Sequence, residues 1–142
     1  MKEMEYVVFN LADEKYGIDI CGLSSIERNL NITRVPSLPS YVLGVFNLRG
    51  EIVPVVDLRQ LFGVKLSDLS KDSRILVVKK EKLKLGLLVD YARDTGRFAE
   101  AEEQPEQFPE YVISLAEDGK QEIMVVSVDD VFETVANLNQ QN

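Results

Sequence analysis

An all-β fold with one or two short helices, built as two similar small subdomains in one domain, is what this sequence predicts. Three observations carry that expectation. Runs of strand-forming residues recur along most of the chain and are separated by turn residues. The sequence echoes itself at a shift of about 70 positions. Its 142 residues suit a single domain with a sizeable core.

The elements follow in chain order. Tyr6–Leu11 alternates as a strand, Asp13-Glu14-Lys15 reads as a turn and Tyr16–Ile20 as a second strand. Leu23, Ile26 and Leu30 recur at near-helical spacing, which predicts a short helix over Gly22–Asn29. Pro36 prevents a helix from forming around Ile32–Val35. Tyr41–Leu48 and Glu51–Leu58 form a hairpin about Arg49-Gly50, for which glycine at the third position predicts a type II turn or a bulged relative. Such a turn displays Arg49 outward. Asp57 is a candidate N-cap for a helix over Leu58–Phe62, and Gly63 is its C-terminal stop. Lys65–Ser73 reads as a polar linker. Arg74–Lys79 and Lys84–Ala92 pair across the Lys80–Leu83 turn. Arg97–Phe108 reads as an acidic loop. Tyr111–Ala116 and Glu122–Val128 form a last hairpin about Asp118-Gly119, and Asp129–Val135 closes as a helical turn.

At a shift of 70, Pro39, Tyr41 and Val42 fall on Pro109, Tyr111 and Val112, while Val55, Val56 and Phe62 fall on Val125, Val126 and Phe132. Tyr16-Gly17-Ile18 matches Leu85-Gly86-Leu87 at a shift of 69. Two copies of so long a period indicate a duplicated β-unit, not a solenoid. The expected subdomains span 14–71 and 72–136, with the N-terminal strand 5–12 free to pair into the second. A groove between two such units is a natural place for a partner segment.

Composition narrows the function. A net charge of −8 disfavours nucleic acid and anionic membrane as partners. No apolar run approaches the ~20 residues of a membrane span, and the single Cys21, which reads as a small buried hydrophobe, suits a reducing cytosol. With no histidine, the chain has no Ser-His-Asp machinery, histidine-ligated metal or phosphohistidine relay of its own. The acidic run Glu100–Glu110 matches no Ca²⁺-loop spacing. No catalytic residue, metal site or cofactor is expected.

The segment PSLPSYVLGVFNLRGEIVPVVDLRQLFG, from Pro36 to Gly63, closely resembles CheW-like domains of bacterial chemotaxis proteins. Tyr16-Gly17-Ile18-Asp19-Ile20 fits the start of such a domain and Leu83–Asp94 its middle. The resemblance implies two five-stranded β-barrels flanking a shared core, in the stand-alone coupling form. It implies a cytoplasmic, non-enzymatic adaptor, recruited to membrane-associated receptor arrays. Its partners would be the tips of methyl-accepting chemoreceptors and the CheW-like regulatory domain of the histidine kinase CheA. By position, the implied receptor-binding residues are Leu23, Ile26, Gly44 and Arg49, and the implied kinase-binding residues are Val35, Pro36 and Leu38. Read without the resemblance, Leu23 and Ile26 suit a core-facing stripe, Gly44 a barrel bend and Arg49 a solvated turn. One departure is Ser24-Ser25-Ile26-Glu27, where the family often carries Gln-Glu-Ile-Arg. Two alternatives stand beside this reading: an adaptor of a non-flagellar array controlling surface motility or gene expression, and a small β-barrel enzyme.

Overall fold

Strand pairing divides the chain into two units that interlace in sequence. The computed structural model describes residues 3–28, 31–65, 68–103, 112–118 and 121–140. Strands β1 (Glu3–Leu11), β2 (Glu14–Asp19), β8 (Tyr91–Glu103), β9 (Val112–Asp118) and β10 (Gln121–Val126) close a five-stranded barrel in the order β1-β2-β10-β9-β8. Strands β3 (Leu23–Glu27), β4 (Val42–Leu48), β5 (Glu51–Asp57), β6 (Arg74–Lys80) and β7 (Leu83–Val89) form a second five-stranded sheet, ordered β3-β6-β7-β5-β4. The units therefore do not follow a 14–71 and 72–136 division. Residues 23–89 make one unit, inserted between the strands of the other.

The duplication is visible in the hydrogen-bond register. The parallel pair Val55↔Gly86 of the inserted unit has Val125↔Gly17 as its counterpart in the barrel, at the shifts of 70 and 69 that the sequence shows. The bulge between Val42↔Val56 and Gly44↔Val55 recurs between Val112↔Val126 and Ser114↔Val125. The units differ where each ring closes. The 13-residue β8 reaches from β1 to β9, whereas β3 has 5 residues. Across the gap between β3 and β4 the described residues provide one isolated bridge, Thr33↔Val45. At the same shifts its counterpart is the Glu102↔Leu115 pair of the closed barrel.

Among the described residues, three clusters form the core. Val53, Val55, Ile75 and Val77 fill the inserted unit, and Tyr6, Val8, Ile123 and Val125 fill the barrel. Alternate residues of the same strands, among them Val7, Phe9, Ile18, Leu76, Val78 and Leu87, meet between the units in a third and larger cluster. Strands β1, β6 and β7 are thus buried on both faces, which explains their near-continuous apolar sequence. Burying one such side chain contributes about 1.5–3 kcal/mol, so the junction is a major source of stability.

Two helices flank this junction. Helix α1 (Leu58–Phe62) begins at Asp57, whose carboxylate accepts from the Arg59 N–H at 3.0 Å, and ends at Gly63 with φ 70°. The local code predicts both ends. Helix α2 (Val128–Gln140) starts at the counterpart position, where Ser127 Oγ accepts from the Asp130 N–H at 3.2 Å. It packs Val128, Val131, Phe132 and Val135 on the central cluster and is longer than the single turn expected.

Two expected elements differ. Leu23–Glu27 is a strand paired with β6, preceded by a 3-10 turn over Ile20–Gly22, not a helix over Gly22–Asn29. The spacing of Leu23 and Ile26 fits either form, and hydrogen bonding to β6 decides it. Residues 97–103 extend β8 and are not loop, because β1 and β9 supply partners on its two sides. Residues 104–110, the remainder of that acidic segment, and Gly119 of the predicted turn lie outside the described residues.

Tyr41 has a cost of its own. Its ring is in the central cluster and its hydroxyl is buried with no hydrogen-bond partner among the described residues. Burial pushes its phenol pKa up from 10. A raised folded-state value means that stability is fully present below about pH 10 and lost as pH rises through the folded value. Tyr41→Phe is expected to raise stability by about 1 kcal/mol at neutral pH and to weaken the alkaline fall. Denaturant unfolding at pH 7 and above pH 10 checks both.

Candidate functional site: an arginine-tipped hairpin and the loop beside it

Arg49 tops the β4–β5 hairpin. It has φ 52° and Gly50 φ 89°, so both central residues are left-handed. This is a type I′ turn and not the predicted type II, because a two-residue connection must match the right-handed twist of its strands. Asn47 Oδ1 accepts from the Gly50 N–H at 2.7 Å and braces the turn. A non-glycine residue in this region costs roughly 1–2 kcal/mol. The fold thus places Arg49 where a smaller residue would sit more easily.

The Arg49 side chain is 77% exposed. Its Nη2 lies 4.0 Å from Glu27 Oε2, a loose pair in which the carboxylate is the more buried partner. Glu27, Asn31, Phe46, Asn47, Leu48 and Arg49 line a cavity of about 270 Å³ at the gap between β3 and β4. The arrangement offers a planar donor fork, backed by one acid, beside an apolar wall. It holds no nucleophile–base pair.

The other sequence-predicted residues fall as follows. Ile26 is 40% exposed on β3, while Leu23 packs against the central cluster. A bulge between Leu23 and Ser25 sets Leu23 opposite Val78 and Ile26 opposite Leu76, two residues of one face of β6, so the pair share a face on a strand although only Leu23 is covered. Gly44 is buried and has φ 151°. A Cβ there would sit 2.1 Å from the Thr33 carbonyl oxygen. Thr33 and Val45 exchange two backbone hydrogen bonds of 2.7 and 2.9 Å at this point. Gly44 therefore has an internal reason to be glycine: it lets the chain close the inserted unit.

Val35, Pro36 and Leu38 lie together on an exposed loop. Pro36 fixes the first central position of a turn and Ser37, at φ 68°, takes the second, the type II pattern. Val35 and Leu38 are 40% and 41% exposed. With Arg34, Pro39 and Leu43 they border a surface groove of about 490 Å³. The loop follows directly on Thr33, so the closure bridge separates the Arg49 cavity from the Val35–Leu38 groove in the chain. The seam between the units holds a third cleft, of about 370 Å³, lined by Tyr6, Asp19, Cys21, Lys79 and Val128 among others. Cys21 is exposed there, contrary to expectation, and the hydrogen bond and charge of Asp19 raise its thiol pKa.

Sequence reasoning missed three participants. Glu27 stands out in the sequence only as part of the Ser24-Ser25-Ile26-Glu27 departure, yet it faces Arg49. Thr33 carries no sequence signal. The third is a buried ion cluster. Arg59, only 5% exposed at its side chain, donates from Nε and Nη2 to the two oxygens of Asp57, each at 3.0 Å, and from Nη1 to Asp90 Oδ1 at 3.0 Å. The Asp57 bonds hold the Arg59 pKa above its ordinary value against the opposing effect of burial. Asp57-Leu58-Arg59, with the acid already marked as a cap, was the available clue.

Comparison with known proteins agrees with this geometry. The family model described as the CheW-like domain matches residues 5–136. The chemotaxis protein CheW of Treponema pallidum is 30% identical over 141 residues, covering 92% of this chain and 83% of that one. The chemotaxis protein CheW of Helicobacter pylori is 37% identical over 102 residues, 72% of this chain and 62% of the relative's length. The crystal structure of the scaffolding protein TtCheW from Thermoanaerobacter tengcongensis superposes with a TM-score of 0.80 at 32% identity, covering 89% of this chain and 90% of that chain.

Proposed function

The chain belongs to the CheW-like domain family, and on that premise we propose that it is a non-enzymatic adaptor coupling chemoreceptor tips to the histidine kinase CheA in bacterial chemotaxis signalling. The observation that carries this reading is the pair of separate, differently built surfaces on one unit. One is an exposed guanidinium on a braced turn beside an apolar cavity, and the other is an apolar loop.

Each surface suits a protein partner. A receptor tip is a helical hairpin, and a helix is held by apolar anchors while flanking charges set register. Arg49 would meet a carboxylate or a helix C-terminus, and exposed Ile26 would add an apolar contact on the same unit. The Val35–Leu38 loop would dock the kinase's CheW-like regulatory domain. No step in this role requires bond chemistry. The adaptor would act in the cytoplasm at membrane-associated receptor arrays.

Copurification tests the reading. The chain is expected to retain a CheA regulatory fragment and a receptor signalling fragment, each alone and both together. Failure to retain either at micromolar concentration would refute it.

A further inference from the structure

The chain crosses between its two units at two places, and they are built differently. The β2–β3 crossing, Ile20–Gly22, is capped from its own strand, the Cys21 N–H donating to Asp19 Oδ1 at 2.9 Å, and it meets α2 through apolar contact: a Cβ on Gly22 would lie 2.9 Å from Val128 Cγ2. The β7–β8 crossing is Asp90, which is pinned from both sides. Its N–H donates to the Asn10 carbonyl at 3.1 Å, and its Oδ2 accepts from the Ala12 N–H at 2.7 Å, both on the β1–β2 hairpin of the barrel. Its Oδ1 accepts from Arg59 Nη1 at 3.0 Å, on α1 of the inserted unit.

The internal duplication shows that this clamp is one-sided. At shifts of 69 and 70, Cys21 occupies the place of Asp90, Ser127 that of Asp57 and Asp129 that of Arg59. No guanidinium stands at the second crossing among these counterparts. Asp129 is instead 74% exposed and 4.0 Å from Lys80. At one crossing charge-assisted hydrogen bonds join the two units; at the other the carboxylate bond, from the Cys21 N–H to Asp19, stays within the crossing and its own strand.

We infer that Arg59 is a positioning residue: through Asp90 it fixes the angle between the two units, and so the relative placement of surfaces on the inserted unit and on the barrel. Arg59 suits this task because its three bonds have fixed mutual geometry. The two to Asp57 orient the guanidinium plane, and that plane aims Nη1 at Asp90. Asp57 is itself fixed as the cap of α1. The chain of constraint therefore runs from helix start to guanidinium to crossing to hairpin.

The test uses the full chain with Cys21→Ser, and spin labels on Thr95→Cys in the barrel and Lys82→Cys in the inserted unit. Pulsed electron-spin distance measurements are expected to give one narrow distribution for the parent, at least a doubling of its width for Arg59→Met, and partial recovery of the parent width for Arg59→Lys. Should Arg59→Met not fold, Asp90→Ser is read instead, since it removes the crossing bond while leaving the Arg59–Asp57 pair intact. The functional arm rests on the adaptor reading: both proposed surfaces lie on the inserted unit, so each binary affinity is expected to stay within twofold of the parent. An unchanged distance distribution in the folded variant, or binary affinities that fall together with stability, overturns the inference. A parent chain that binds neither fragment would refute the adaptor reading instead, and leave the distance result standing.

Discussion

Gly44→Ala is expected to destabilise the protein by about 3 kcal/mol. Two effects add at this position. The backbone has φ 151°, a conformation that side chains other than hydrogen rarely adopt, and a Cβ would sit 2.1 Å from the Thr33 carbonyl oxygen. That oxygen belongs to backbone and cannot rotate away. Relief requires Thr33 to move off β4, which breaks the two hydrogen bonds that close the inserted unit. Gly50 supplies the control. It also has positive φ, 89°, but nothing lies within 4 Å of its hypothetical Cβ. Gly50→Ala should therefore cost roughly 1–2 kcal/mol, from backbone strain alone. Denaturant unfolding of the two variants should rank them in that order. Amide exchange should show the Thr33 and Val45 N–H groups losing protection in Gly44→Ala and keeping it in Gly50→Ala. Equal costs would mean that the closure bridge contributes nothing. The result bears on function too: a Gly44 variant that loses receptor binding would lose it through an opened sheet, not through a missing contact.

Arg49→Glu is expected to leave a folded, soluble protein whose affinity for the receptor fragment falls at least tenfold, with kinase-fragment affinity unchanged. The side chain is 77% exposed, so its charge can be reversed without touching the core. Truncating a charged group that becomes desolvated in an interface costs about 2–5 kcal/mol, and reversal adds repulsion. The new carboxylate would also face Glu27. Arg49→Asn separates charge from backbone. Asparagine accepts left-handed φ more readily than arginine, so this variant should be at least as stable as the parent and still bind the receptor weakly. Titration calorimetry with each fragment, alongside thermal unfolding, checks both variants. An unfolded Arg49→Glu would show that the residue is structural.

The sequence was most legible where the physics is local or repeated. Asp57 and Gly63 announce the ends of α1 because a cap and a left-handed stop depend on a few adjacent residues. The 70-residue echo revealed the duplication, and the register confirms it down to a shared bulge. The exposed position of Arg49 also follows from its turn residues. What was hidden depends on partners distant in sequence. Leu23–Glu27 looks helical until β6 is placed beside it. The acid-rich residues 97–103 look like loop until β1 and β9 bracket them. The interlaced units could not be read from a linear division, because β2 joins β10 and β6 joins β3 across more than 45 residues. Arg59 was passed over because a charged helical residue is usually solvated. One of its acid partners is 31 positions away. The sequence alone suggests a bend at Gly44, but not that the crowding which requires glycine comes from Thr33.

On the adaptor reading the molecule presents two surfaces from its inserted unit. An apolar junction and the Arg59–Asp90 tie join that unit to the barrel. The most direct measurement of that account is sedimentation of the chain mixed with a receptor signalling fragment and a CheA regulatory fragment that do not join each other when the chain is absent. Bridging predicts one boundary containing all three components, dispersed into binary species by Arg49→Glu. Mutually exclusive binding of the two fragments, with no three-component boundary at any ratio, would contradict it.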